Sequence, residues 1–264
     1  MLIQRGIQIT LCFLFLSVSL FAQNVTKTEK TETNSSASHT KRYTYRKKHN
    51  PNGIGKFYMG REIAHVMGFG YRAGGAKWLE RETREKEEKI SLLAKSLKIQ
   101  KNDVIADIGA GSGVISMLLA AQLGQQGKVI AVDVQQKMLD RLKKNLKAKN
   151  ITNVKPHLGK SKSPQLAKNS VDLIVMVDVY HEFEYPYEMM LHLCQALKKG
   201  GRIAFVEYRM EDPKVPIKII HKMSEAQVKK EALQEAFQLK FVETITVLPR
   251  QHVVVFQKKD DKKK

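Results

Sequence analysis

Hydrophobic and polar positions along this chain follow two periods that take turns. From Val104 onward, solid apolar runs of five to seven residues stand between longer stretches whose apolar residues recur every three or four positions. That is the pattern of buried strands alternating with amphipathic helices. It predicts strands at residues 104–108, 128–133, 154–157, 171–177 and 202–208, with helices at 113–123, 136–149 and 187–197. After Pro213 and Pro216 a helix at 224–237, N-capped by Ser224, leads to two apolar runs, 241–247 and 253–257, that form an antiparallel pair at the sheet edge. Strands and helices in alternation imply an α/β fold in three layers, a mostly parallel sheet covered on both faces.

Upstream, the pattern changes three times. Residues 78–97 read as a helix that is highly charged through Arg81 to Glu88 and then amphipathic through Ile90, Leu93, Ala94 and Leu97. A short helix is expected at 61–67, so that residues 51–97 form an N-terminal helical lid or cover ahead of a main domain at 98–258. Residues 23–50, rich in Thr, Ser, Lys and Asn, lack the large aliphatic residues a core needs and are expected to be a disordered basic linker. Residues 1–22 carry Arg5, an apolar run from Leu11 to Phe21 and a small residue, Ala22, at the end. They read as a secretory signal peptide and predict an exported, periplasmic protein, the alternative being an uncleaved membrane anchor.

Composition refines this picture in two ways. With Cys12 inside the leader, only Cys194 is left in the mature chain, so no intrachain disulfide is expected. The 264 residues carry a net charge of +20, concentrated in part at the ends: seven Lys or Arg against two Glu in residues 23–50, and a basic tail at 259–264. Such a balance gives unspecific attraction to anionic partners, including membrane surfaces, but no basic motif interleaved with aromatics points to a specific nucleic-acid partner.

The chemistry centres on Val104-Ile105-Ala106-Asp107-Ile108-Gly109-Ala110-Gly111-Ser112-Gly113, a strand that runs into three glycines and opens a helix. Glycine permits positive φ and close approach, so the turn is expected to offer bare backbone N–H groups and a helix N-terminus to a nucleotide cofactor. Asp133, at the tip of the second strand, is placed to hold the hydroxyls of a ribose. Asp107 beside the turn would repel a pyrophosphate and attract an ammonium group, and the spacing is G-x-G-x-G; both features favour S-adenosylmethionine over a nicotinamide dinucleotide.

On these residues, and on Ala131-Val132-Asp133, Val171 to Glu182 and Leu197-Lys198-Lys199-Gly200-Gly201-Arg202-Ile203, the chain resembles the class I S-adenosylmethionine-dependent methyltransferases of the Rossmann-like, small-molecule group. The resemblance implies a seven-stranded sheet of order 3-2-1-4-5-7-6 with the last strand antiparallel. It also implies that Asp107 and the backbone at Gly109, Ala110 and Gly111 hold the methionine part of the cofactor, Asp133 the ribose, and Asp178 with Val179 the region near the sulfonium, with Gly113 and Val134 also among the cofactor-binding residues. Many relatives carry an acidic residue after the third strand for the adenine amino group; here that segment is Gly159-Lys160-Ser161-Lys162-Ser163-Pro164.

Tyr180-His181-Glu182-Phe183 follows the fourth strand, where α/β sheets place ligand-contacting loops. His181 is the candidate general base and Glu182 its orienting partner; with no second histidine four residues on, no metal site is expected. Glycines, aromatics and Met in residues 57–75, with Arg61, Arg72 and Arg81, suit a lid over an acidic or lipid-like small molecule. The sequence therefore predicts a methyltransferase acting on a small-molecule or lipid-like acceptor, and as its alternative an exported, non-catalytic binding protein on the same scaffold.

Overall fold

The computed structural model describes residues 42–70 and 74–260. The expected signal peptide at 1–22, the expected linker up to residue 41, Arg72 and the last four residues of the chain lie outside the described residues.

The main sheet is built from β4 (Val104–Ile108), β5 (Lys128–Asp133), β6 (Val154–Leu158), β7 (Val171–Val177), β8 (Leu197–Arg209), β10 (Leu239–Ile245) and β11 (Gln251–Lys258), with the two-residue β9 (Lys222–Met223) added to the end of β8. Its order is β6-β5-β4-β7-β8-β11-β10. Numbered within the sheet this is 3-2-1-4-5-7-6, and β11 runs antiparallel to both of its neighbours, as the resemblance implied. Consecutive side chains of a strand point to opposite faces. Accordingly Ile174, Met176, Ile203 and Phe205 enter one core, while Leu173, Val175, Ala204 and Val206 enter the other.

The first core is closed by α6 (Pro186–Ala196) through Met189, Met190, Leu193 and Cys194, and by Val228 and Ala232 of α7 (Glu225–Ala232). The second is closed by α3 (Ile90–Ser96), α4 (Val114–Ala120) and α5 (Gln136–Ala148), whose Leu139, Leu142 and Leu146 recur at helical spacing. Pro186 at the start of α6 costs no hydrogen bond there, and the Ser224 hydroxyl accepts the Gln227 N–H to cap α7, as expected. Cys194 is a buried free thiol.

The region ahead of β4 departs from the sequence reading. Residues 61–67 are not a helix: β3 (Arg61–Ala64) pairs antiparallel with β2 (Gly53–Tyr58) across a two-residue turn in which Met59 and Gly60 both take positive φ, 49° and 98°. Pairing partners outweigh local helix preference here, and Ile63 is fully buried as a result. Residues 42–50 are not disordered either. β1 (Tyr43–Tyr45) pairs with β2, and the Tyr43 hydroxyl donates to Glu188 at 2.5 Å. The cover is thus a three-stranded sheet followed by helices. The single helix expected at 78–97 is α1 (Gly75–Leu79), α2 (Arg84–Glu88) and α3, with Lys89 at φ +51 breaking the run between the last two.

Candidate active site

The carboxyl ends of β4, β5 and β7 meet where the strand order reverses, the place where open α/β sheets bind ligands. There the structure holds a cavity of about 490 Å³, within the range of small-molecule and cofactor sites. Its walls come from the three strand ends, α1 and the segment before it, the loop at 159–164, residues 179–184 and the stretch from Pro216 to His221.

At the β4 end the three glycines do what only glycine can. Gly113 has φ +88, and a Cβ there would sit 1.9 Å from Leu142 Cδ1; one on Gly109 would meet Val179 at 2.4 Å and one on Gly111 would meet Leu79 at 2.3 Å. The expected bare N–H groups are, however, already in use. Gly109 and Ala110 both donate to Val132 O, Gly111 donates to Asp133 Oδ2 at 2.9 Å, and Gly113 donates to Ala110 O. The turn therefore serves close approach more than donor supply. Helix α4, of seven residues, follows it.

Asp133 lines the cavity, nearly buried, with Oδ1 accepting the Gln135 N–H at 2.8 Å. Burial raises its carboxyl above the usual range and these N–H bonds pull it back. Val134, beside it, is 47% exposed and also lines the wall. Asp107 lies one step back, in a small recess shared with Gly109, Ala110 and Arg84, where its Oδ2 accepts the Ser116 hydroxyl at 2.6 Å. Burial raises it to about 7, the Ser116 bond and the Arg84 charge opposing.

Asp178 takes φ +50 at the end of β7 and lines the cavity beside Val179. Its Oδ2 accepts from Gln251 at 3.2 Å, whereas Oδ1 is buried without a hydrogen-bond partner. Burial, with the Glu88 and Glu207 charges added, holds this carboxyl well above its ordinary value. An orphaned acceptor and a strained backbone at one point of the wall are a built binding position.

On the other wall His181 is placed as a candidate, but its partner differs from the one expected. Its Nδ1 lies 2.6 Å from Glu207 Oε2, while Glu182 Oε1 is 3.9 Å from Nε2. Glu207, and not Glu182, orients the ring. Glu207 Oε1 also accepts the Tyr180 N–H at 3.0 Å. His181 Nε2 faces His221 Nδ1 at 3.1 Å, and His221 Nδ1 is 3.8 Å from Glu182 Oε1. Burial presses each of these groups toward its neutral form: His181 and His221 down to about 4, Glu182 up to about 7 and Glu207 up to about 8.

Of the arginines expected to receive an anion, Arg61 and Arg81 are engaged elsewhere. Arg61 makes a paired contact with Glu231 at 2.8 and 3.0 Å and donates to His181 O, so it holds the His181 segment in place. Arg81 pairs with Glu87 and Glu88 and stacks over Trp78. Arg84 pairs with Glu88, which accepts the Tyr208 hydroxyl at 2.8 Å. Sequence reasoning passed over Glu207, His221, Glu88 and Glu231. A signal existed for Glu207, a charge inside the apolar run Ile203-Ala204-Phe205-Val206 and its continuation; His221 had none.

A Rossmann-like sheet of this order, with a glycine turn at its first strand and a carboxylate at the tip of its second, defines a methyltransferase fold and cofactor site. The chain belongs to the methyltransferase-domain family whose model matches residues 99–262. Its main domain is therefore a methyltransferase domain, and its likeness to a solved S-adenosylmethionine-dependent enzyme is one of fold.

Among curated relatives, a ubiquinone/menaquinone biosynthesis C-methyltransferase of Francisella tularensis is 27% identical over 49% of this chain and 51% of its own length. A demethylmenaquinone methyltransferase of Lactobacillus johnsonii is 25% identical over 43% of this chain and 47% of its own. The chain thus spans about half the length of the curated relatives it matches. A methyltransferase structure from Aquifex aeolicus shares the fold with a TM-score of 0.64, at 21% identity, over 69% of this chain and 96% of that one.

The residues present fit the cofactor. Asp178 Oδ1 is a buried oxygen without a partner, Asp133 lines the cavity, and a side chain at Gly109 or Gly111 would displace the wall. At the position of the missing adenine acid, Gly159, Lys160, Ser161 and Pro164 line the cavity.

Proposed function

We propose that the protein methylates a small, largely apolar acceptor that carries a ring hydroxyl, of the quinone-precursor kind, and that the acceptor's hydroxyl is held and activated at His181, Glu182 and His221. The observation that carries this reading is that His181, oriented from behind by Glu207 at 2.6 Å, lines the same cavity as Asp133 and Asp178. S-adenosylmethionine, when bound, supplies an electrophilic methyl group. Asp133 and Asp178 would hold it, and the loop at 159–164 would cover its base.

The remaining work falls to the chain. Glu207 fixes the His181 ring through Nδ1, and Arg61 anchors the backbone of the same residue. The Met67 N–H, from the cover, binds Glu182 Oε2 at 3.1 Å and leaves Oε1 for the cluster. Val66, Met67, Met189 and Ile217 give the cavity an apolar lining in which a ring packs and water is excluded. Most of the rate would come from placing the acceptor atom in line with the methyl group. The quinone class is supported by the names of the two curated relatives and by this lining.

The test is incubation with S-adenosylmethionine and a panel of hydroxylated naphthoquinols, followed by mass spectrometry of the products and of S-adenosylhomocysteine. Methylated quinol is expected. No binding of S-adenosylmethionine at millimolar concentration would favour the binding-protein alternative instead. The charged start and apolar run of residues 1–22 support export of the protein; a chain in the cytosol still beginning at Met1 would overturn that part.

A further inference from the structure

The residues that face the acceptor include the donor set of a metal centre. Two imidazoles and a carboxylate, from the helical turn after β7 and the turn before β9, bring His181 Nε2, Glu182 Oε1 and His221 Nδ1 within 4.8 Å of one another. The three separations are 3.1, 3.8 and 3.9 Å. A point equidistant from all three atoms lies about 2.1 Å from each, the length of a bond from Zn²⁺ or a similar ion to imidazole nitrogen or carboxylate oxygen.

We propose that His181, Glu182 and His221 bind a divalent transition-metal ion that takes the acceptor's oxygen as a further ligand. Two nitrogen donors favour Zn²⁺, Fe²⁺, Co²⁺ or Ni²⁺ over Mg²⁺ and Ca²⁺, which prefer oxygen. Three protein ligands leave a coordination position for a substrate, the arrangement of catalytic rather than structural zinc. All three residues line the cavity, so that position opens where an acceptor would lie.

The surroundings match what metal ligands need. Metal-bound histidines donate their second ring N–H to a carboxylate, which orients the ring and leaves the other nitrogen's lone pair to the ion. Glu207 stands 2.6 Å from His181 Nδ1, on the side away from His221. Glu182 is held in the same manner by the Met67 N–H on its other oxygen. His181 Nε2 and His221 Nδ1 lie 3.1 Å apart, and a cation between them would bond to both while adding Glu182.

The ion's part in holding an oxygen rests on the acceptor reading above; the binding of the ion does not. The test uses the untagged full chain, stripped with chelator and dialysed against micromolar Zn²⁺ or Co²⁺, with metal content by mass spectrometry and the visible spectrum of the cobalt form. About one ion per chain is expected, with a cobalt band typical of four or five ligands. His221→Ala and Glu182→Gln should each abolish stoichiometric binding. Glu207→Gln should weaken it about 10–100-fold, and His192→Ala, on the exposed face of α6, should leave it unchanged. Circular dichroism of each variant confirms the fold.

No stoichiometric ion on the wild type, or equal content in His221→Ala and Glu182→Gln, overturns the proposal. Calorimetry with S-adenosylmethionine on the same preparations separates the two readings. Cofactor binding without metal binding removes this site and leaves the methyltransferase standing; metal binding without methylation of any quinol removes the acceptor reading and leaves the site.

Discussion

At the cofactor end, Asp107, the three glycines and Asp133 all come from residues 107–133, and the hydrogen bonds of the turn and of both carboxylates stay within residues 107–135: Gly109 and Ala110 to Val132, Gly111 and Gln135 to Asp133, Ser116 to Asp107. At the acceptor end, His181 meets Glu207, His221 and Arg61, and Arg61 in turn is held by Glu231, 170 residues away in sequence. One end is a local strand–turn–helix unit whose shape follows from backbone geometry. The other is an assembly that exists only once β3, β7, β8 and α7 have docked. Damage to the first should therefore show in cofactor binding, and damage to the second in global stability and turnover.

The largest effect should follow from breaking the tie that assembles the acceptor end. Arg61→Ala leaves the fully buried Glu231 without its ion-pair partner, and is expected to cost about 3–5 kcal/mol in denaturant unfolding. Gly113→Ala strikes the local unit instead: φ +88 and the Leu142 side chain both oppose a Cβ, for a loss of about 2–4 kcal/mol. If Gly113→Ala proved neutral, the view of the turn as a close-packed element would fail.

The sharpest contrast is functional. Asp133→Ala should weaken S-adenosylmethionine on the order of 100-fold by calorimetry, since it removes a charged acceptor and frees two N–H groups. Glu207→Gln should leave that affinity within about twofold while turnover falls roughly 10–100-fold. Equal effects of both variants on cofactor affinity would erase the division between the two ends.

The smallest effect is a pH dependence confined to the cofactor end. Asp107 is raised by burial to about 7, so its neutral form is favoured in the folded protein. That contribution to stability is present in full below the unfolded carboxyl's value of about 4 and is lost as pH rises through about 7. A ligand ammonium favours the opposite, ionised form. Cofactor affinity should then tighten by up to about tenfold per pH unit on approaching pH 7 and level off above it. Asp107→Asn should flatten the profile.

The same division explains what was legible in advance. The strand order, the edge pair, Asp133 beside the glycine turn and the Ser224 cap were readable because each depends on residues close in sequence or on strand and helix periods. Arg61 and Arg81 looked like anion binders because a lone arginine in a sequence carries no sign of its partner; Glu231 and Glu88 neutralise them only after folding. Residues 61–67 looked helical because strand preference there is set by the partner strand at 53–58 across the Met59-Gly60 turn, which the apolar period of 61–67 alone does not show.

The sequence by itself determined the parallel sheet and the glycine turn that opens α4, because backbone conformation at glycine and the burial period of strands are local physics. Only the tertiary structure decided that Glu207 rather than Glu182 orients His181, and that a second histidine completes the cluster from residue 221. Those contacts join separate strands and turns across the sheet, and their geometry is set by how the layers pack.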